Sequence, residues 1–236
     1  MSFLAHHLLK CTHKPDPIFV GGTTYGYTGS SETVISLTSL TGGVDTSPQK
    51  GDLVIVSIAA GQLSASPVSI GSSSSGYTEI VSDTAQDASD VALTISYKMM
   101  NETPDTNVYV NGAGTNSTIA VAIHVWRNIN KIDIIDTSPN VNPVLNTIIP
   151  NPPSISVSLY SIGIAVGAGG GGTQDYSSPD LENFITHGQN SSYDSTIGMG
   201  SLTNTTVTFD PAQFSYGGAD STNYAAIGVS LSLKRL

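Results

Sequence analysis

Ile119-Ala120-Val121-Ala122-Ile123-His124-Val125-Trp126, running straight into Arg127-Asn128-Ile129-Asn130, decides the fold. In an extended chain Ile119, Val121, Ile123 and Val125 point one way, and Ala120, Ala122, His124 and Trp126 point the other. A period of two with β-branched residues is a strand, and apolar residues on both faces make it a strand covered on both sides. Comparable runs at 52–60, 92–100, 161–167 and 225–234 are expected to form the central pairs around it.

Weaker strand candidates follow at 23–28, 33–38, 77–82, 107–110, 131–136, 154–159 and 205–209. Turn signals separate them: Gly21-Gly22, Gly42-Gly43, four serines between Gly71 and Gly76, Asn111-Gly112, and Pro150-Asn151-Pro152-Pro153. Many short strands punctuated in this way predict an all-β fold, an antiparallel β-sandwich of jelly-roll-like topology. The stretch 169–201 is rich in glycine and poor in β-branched residues, so it is expected to be a long connection with a short turn of helix at 181–186. No repeat is evident along the chain. The expected organisation is an extended N-terminal arm, 1–17, followed by one sandwich domain, 18–236.

The arm differs from the body. It holds three of the five histidines and the single cysteine, and closes with Lys14-Pro15-Asp16-Pro17, whose prolines force an extended exit. Phe3, Leu4, Leu8 and Leu9 make a short apolar stripe, too short to hold a helix alone in water. Two readings stand side by side, a leader without structure and an arm that orders on a neighbouring subunit. The second makes Phe3, Leu4, Leu8 and Leu9 the candidate attachment residues.

Only 11% of residues are charged, against roughly 25% in an ordinary globular chain. Sheet edges usually need charge to repel one another, so this surface is expected to meet other protein, and a homo-oligomer follows, three copies first. A net charge of −10 with eight basic residues argues against nucleic acid, which requires clustered Lys and Arg. No apolar run approaches the roughly 20 residues of a membrane span, so no membrane partner is expected. The N-terminus lacks the pattern of a secretion signal, so the expected place of synthesis is the cytoplasm.

Candidate chemistry is sparse, and the expectation is no enzyme, no cofactor and no catalytic residue. The run 167–172 lacks the Lys-Ser/Thr and the helix that a phosphate loop requires. His124 reads as a hydrogen-bonded strand residue, and His187 as a solvated loop residue. His6, His7, Cys11 and His13 are zinc-type donors without paired spacing, so no metal site is assigned to them. Asp83, Asp87 and Asp90 leave calcium binding open, with a solvated acidic loop as the default. The four glutamates, Glu32, Glu79, Glu102 and Glu182, show no pair of the kind glycoside hydrolysis needs.

Four segments carry a family resemblance: Gly51-Asp52-Leu53-Val54-Ile55-Val56, Gly76-Tyr77-Thr78-Glu79-Ile80, Leu93-Thr94-Ile95-Ser96-Tyr97-Lys98 and His124-Val125-Trp126-Arg127-Asn128-Ile129. Together they resemble a β-sandwich module of tailed-bacteriophage virion proteins. There a Gly-Asp strand is followed by a Gly-Trp/Tyr-Thr hairpin, a Tyr-Tyr-Lys strand, and a Tyr/Trp-Arg-Gly-Val strand leading to Pro-Ile/Phe-Asp. Here Asn128 and Lys131 replace the usual Gly and Pro. The resemblance covers about 20–135 and implies a tail or head fibre, spike or decoration (capsid cement) protein of the virion, with other virion proteins as partners. It transfers no catalytic residue. A host-surface glycan, bound by Tyr and Trp on loops, is the alternative partner.

Overall fold

The computed structural model describes residues 14–62, 65–190 and 193–236. The arm residues Phe3, Leu4, Leu8 and Leu9, and the donors His6, His7, Cys11 and His13, lie outside them. Sixteen strands run in chain order: β1 (Ile18–Gly29), β2 (Thr33–Ser36), β3 (Leu53–Gln62), β4 (Thr78–Ala85), β5 (Asp90–Met99), β6 (Asn107–Val110), β7 (Gly114–Arg127), β8 (Ile135–Leu145), β9 (Ile155–Ser156), β10 (Ile162–Gly170), β11 (Tyr176–Ser177), β12 (Glu182–Gln189), β13 (Ser195–Thr203), β14 (Thr208–Phe209), β15 (Ser215–Tyr216) and β16 (Ala225–Leu233). The expected all-β, antiparallel sandwich is what the chain forms, and the described residues contain no helix.

Each half of the chain builds one sheet. The first is ordered β1-β7-β3-β5-β4 and the second β8-β16-β10-β13-β12, every pairing antiparallel. Counted within its own half, each sheet has the same order: first, fifth, second, fourth, third. The outer ribbons repeat as well, since β2 pairs with β6 and β9 with β14 at matching points of the chain. The turn before the second main strand repeats bond for bond. Gly51 N–H donates to Met100 O and Met100 N–H to Asp52 O; Tyr160 N–H donates to Asn204 O and Asn204 N–H to Ser161 O. Gly51 and Tyr160 hold the same left-handed conformation, φ 84° and 64°. A repeat that the sequence does not display is therefore present in the backbone, because topology tolerates the replacement of nearly every side chain.

Three apolar layers explain the two-faced strands. The central core packs sheet on sheet, with Leu53, Ile55, Leu93, Ile95 and Trp126 facing Ile164, Val166, Ile227 and Leu231. The other face of the first sheet, Val54, Val56, Val121 and Ile123, is covered by Ile35, Leu37, Val108 and Val110 of the β2/β6 ribbon and its flanks. The outer face of the second sheet is covered by Phe209, Phe214, Tyr176 and Ile155. Trp126 is shielded as expected, at 3% exposure.

The second sheet makes room for those rings with glycine. A Cβ on Gly163 would stand 2.6 Å from the Phe209 ring, and one on Gly167 would stand 2.7 Å from the Phe214 ring. Gly163, Gly167 and Gly169 are thus the floor of an aromatic layer in a buried strand, and no phosphate loop forms.

The region 169–201 is the largest departure from expectation. It supplies the end of β10, all of β11 and β12 and most of β13, and 182–186 is strand rather than a turn of helix. The alternation Ile197-Gly198-Met199-Gly200 reads weakly as β because its second face is bare, yet that face is filled by Phe184, Leu181 and Tyr176. The strand expected at 131–136 begins instead at Ile135. Before it, the Asn130 side-chain oxygen accepts the N–H groups of Ile132 and Asp133 and turns the chain.

All four edge strands are blunted. Register shifts interrupt β1, β4, β8 and β12, and β8 also carries Pro139 and Pro143. Bulges and prolines disfavour edge-to-edge pairing beside the few charges these strands carry, Glu79, Asp83, Asp136 and Glu182. The edges therefore do not by themselves call for a covering partner.

Candidate functional site

The chain enters the sandwich at the end where β3 and β10 start and β7 and β16 finish. Arg235, the penultimate residue, pins it: its Nη2 donates to Asp16 Oδ1 at 2.9 Å and to the Lys14 carbonyl. Asn128 Nδ2 donates to the Asp16 carbonyl at 2.9 Å. Residues 14–17 are thus tied to both β7 and the C-terminus.

Every described lysine and arginine sits at this end. Lys14 precedes β1 and Lys50 precedes β3; Lys98 closes β5, Arg127 closes β7, and Lys131 lies over Gly51. Lys234 and Arg235 follow β16. Acids pair with most of them: Lys50 with Glu102, Lys98 with Asp105 at 2.6 Å, Arg127 with Asp52 at 2.8 Å, Lys234 with Asp133, and Arg235 with Asp16. The opposite end carries Asp87, Asp90, Asp175, Asp194 and Asp220 and, among the described residues, no Lys or Arg at all. An acidic tip repels a second acidic tip, whereas the mixed end has no such barrier to contact.

Several exposed apolar side chains share the mixed end, whereas Leu145 is exposed at the acidic one. Ile132 is 99% exposed at the apex of the Asn130 turn, and Leu159, Tyr160, Val207 and Leu236 are exposed around it. Two clefts open on either side of Arg235. One, about 630 Å³, lies between Asp16, Pro17, Tyr160, Thr203, Thr205 and Arg235. The other, about 200 Å³, is bounded by Lys14, Ser158, Leu159, Lys234 and Leu236.

A third cleft, about 280 Å³, lies on the outer side of the first sheet. Ser73, Ser74, Ser75, Thr103, Asp105, Asn107 and Tyr109 line it. Lys98 Nζ holds both oxygens of Asp105, at 2.9 and 2.6 Å, which fixes that carboxylate in the wall.

The remaining candidate residues are placed apart. Asp83, Asp87 and Asp90 belong to the β4–β5 hairpin, where their oxygens cap backbone N–H groups of Thr84, Ala88, Asp87 and Ala65, and of Asn146 from the second sheet. Among the described residues no group of three His, Cys, Asp or Glu side chains is placed to hold a metal ion. The four glutamates stand on four separate elements: Glu32 in the β1–β2 connection, Glu79 in β4, Glu102 after β5, and Glu182 in β12. His187 is not on a solvated loop but in β12, half-buried against Gly26.

His124 is fully buried between Phe19 and Trp126, with ring centroids 4.9 and 6.3 Å away. Its Nε2 donates to the Asn183 carbonyl at 2.9 Å, and its Nδ1 has no partner. Burial pushes its pKa down to about 3, only partly opposed by the bond to Asn183. A neutral ring wedged between two sheets is structural. Trp126 lies in the same layer, which removes it as a loop platform for a glycan.

No protein-family model matches the chain, and neither a curated protein nor a solved structure is significantly similar to it.

Sequence reasoning overlooked Arg235 and Tyr160 as organisers of this end. One signal was available: no Lys or Arg occurs between Lys131 and Lys234.

Proposed function

We propose that the chain is a structural component of a tailed-phage virion, a tail or head fibre or spike protein fixed to the particle by its arm-bearing end. The observation that carries this is the segregation of charge: all described Lys and Arg side chains gather at the end where residues 14–17 enter, and the charges of the far tip are acidic. Such a molecule has one end fit for contact and one fit for solvent. The resemblance to virion sandwich modules points the same way, with other virion proteins as partners, and a homo-oligomer, three copies first, remains part of the proposal. Mass spectrometry of purified virions tests it. A few copies per particle support a fibre or spike, hundreds indicate capsid cement, and absence from the particle overturns the reading.

A second reading is favoured by the third cleft, whose hydroxyls, amide, fixed carboxylate and tyrosine ring suit a neutral saccharide of the host surface. Binding of purified protein to host-surface polysaccharide, lost in Tyr109→Ala, is the expected result. Unchanged binding in that variant rules the cleft out.

A further inference from the structure

Tyr160, in the turn before β10, has φ 64°, the left-handed region that a bulky side chain disfavours. Its counterpart in the first half, bonded in the same way, is Gly51, which adopts this conformation freely and leaves the space above it to Lys131. The second half thus keeps a tyrosine where glycine would relax the backbone. Strain of this kind gathers at positions that clamp a ligand.

The ring stands in the larger cleft, about 630 Å³, with Asp16, Pro17, Thr203, Thr205 and Arg235. The Arg235 guanidinium lies over it, Cζ 5.9 Å from the ring centroid, yet Tyr160 is 55% exposed. Arg235 also donates to Asp16 Oδ1, which fixes that carboxylate in the wall without covering it, since Asp16 is mostly in water. Thr203 and Thr205 are exposed, and their hydroxyls have no hydrogen-bond partner among the described residues.

We propose that this cleft binds a neutral hexopyranoside, with the apolar C–H face of the sugar on the Tyr160 ring and its hydroxyls on Asp16, Thr203 and Thr205. The lining selects this class. An exposed aromatic ring offers its negative face to C–H groups. A carboxylate already paired with a guanidinium still accepts hydroxyl donors but does not call for a cationic ligand. Arg235, engaged by Asp16 and the Lys14 carbonyl, does not call for an anionic one. Free threonine hydroxyls donate and accept, as neighbouring hydroxyls of a sugar do. The site is separate from the third cleft and requires no particle, so it and both readings above fail separately.

The test titrates the full chain with malto-, cello- and galacto-oligosaccharides, and with glucuronate and glucosamine as charged controls. At least one neutral series binds saturably, and the charged controls bind more weakly. Tyr160→Gly, its backbone relaxed, melts no lower than the wild type but binds about tenfold more weakly, whereas Tyr160→Phe keeps the ring and the affinity. Thr203→Val/Thr205→Val, altered only at exposed hydroxyls, also binds more weakly at an unchanged melting temperature, and it decides the matter should the glycine variant melt lower. No saturation by any neutral series, a charged control that binds more tightly, or full affinity in Tyr160→Gly or in the threonine pair overturns the proposal. So does binding that survives Tyr160→Gly and disappears in Tyr109→Ala, which would assign the sugar to the third cleft.

Discussion

Arg127 closes β7 onto Asp52, the residue before β3, through two parallel bonds: Nε to Oδ1 at 2.8 Å and Nη2 to Oδ2 at 2.9 Å. Asp52 is 1% exposed and also accepts the Gln49 N–H at 2.8 Å. The Gly51-Asp52 and Trp126-Arg127 segments are the two halves of this one contact, which spans 75 residues of the chain.

Removing the cation leaves a buried carboxylate with only a backbone donor. Arg127→Ala should cost about 3 kcal/mol in chemical denaturation, at the lower end for a broken buried pair because the arginine keeps one side in water. Arg127→Lys should recover only part of this, since an ammonium does not match the fork geometry. A loss under 1 kcal/mol for Arg127→Ala would show that the pair is not a significant support.

The residue after this arginine holds a left-handed backbone. Asn128 has φ 64°, a conformation that Gly and Asn adopt readily and alanine does not. Asn128→Gly should therefore melt close to wild type, less the bond to the Asp16 carbonyl, while Asn128→Ala should lose about 1–2 kcal/mol. The same stability for both variants would refute the conformational argument.

The glycine floor makes an opposite kind of prediction, in which a small side chain is too large. Gly167→Ala places a methyl 2.4 Å from Pro150 Cγ and 2.7 Å from the Phe214 ring and should destabilise by about 1–3 kcal/mol. Phe214→Leu in the same chain should recover part of that loss, whereas Phe214→Leu alone is destabilising. A double-mutant cycle with no coupling would mean that the ring moves aside freely.

Acid should weaken the fold before its carboxylates titrate. The unfolded His124 takes up a proton near pH 6.5 and the folded one only near 3, so the unfolded state binds more protons between these values and stability falls as the pH drops through them. From pH 6.5 to 4.5 the loss should be about 2 kcal/mol, and His124→Gln, neutral throughout, should remove most of it. Asp220 belongs to a lower window. Partial burial raises its pKa, but bonds from Ile148, Thr147 and Ser221 hold it below the usual value, so its contribution disappears only below about pH 4. Equal pH profiles for wild type and His124→Gln would refute the assignment to this ring.

The sequence alone determined the fold class. β-Branched residues repeating every second position in 53–60, 92–99 and 119–127 can bury two faces only as covered strands, and these are β3, β5 and β7 at the middle of the first sheet. It also marked the start of the sandwich, because the prolines at 15 and 17 end where β1 begins. The second sheet was harder to see, since Gly198 and Gly200 leave a bare face whose partners, Phe184 and Leu181, come from another strand.

Only the tertiary structure decided three things: that each half of the chain repeats the other's strand order, that Asp52 meets Arg127, and that the cations gather where the arm enters. The physical reason is the same for all three. A strand's side-chain pattern is local and is written in consecutive residues. Strand order, ion pairing and the distribution of charge depend on which distant segments become neighbours, and the sheets set that through hydrogen bonds that any side chain permits.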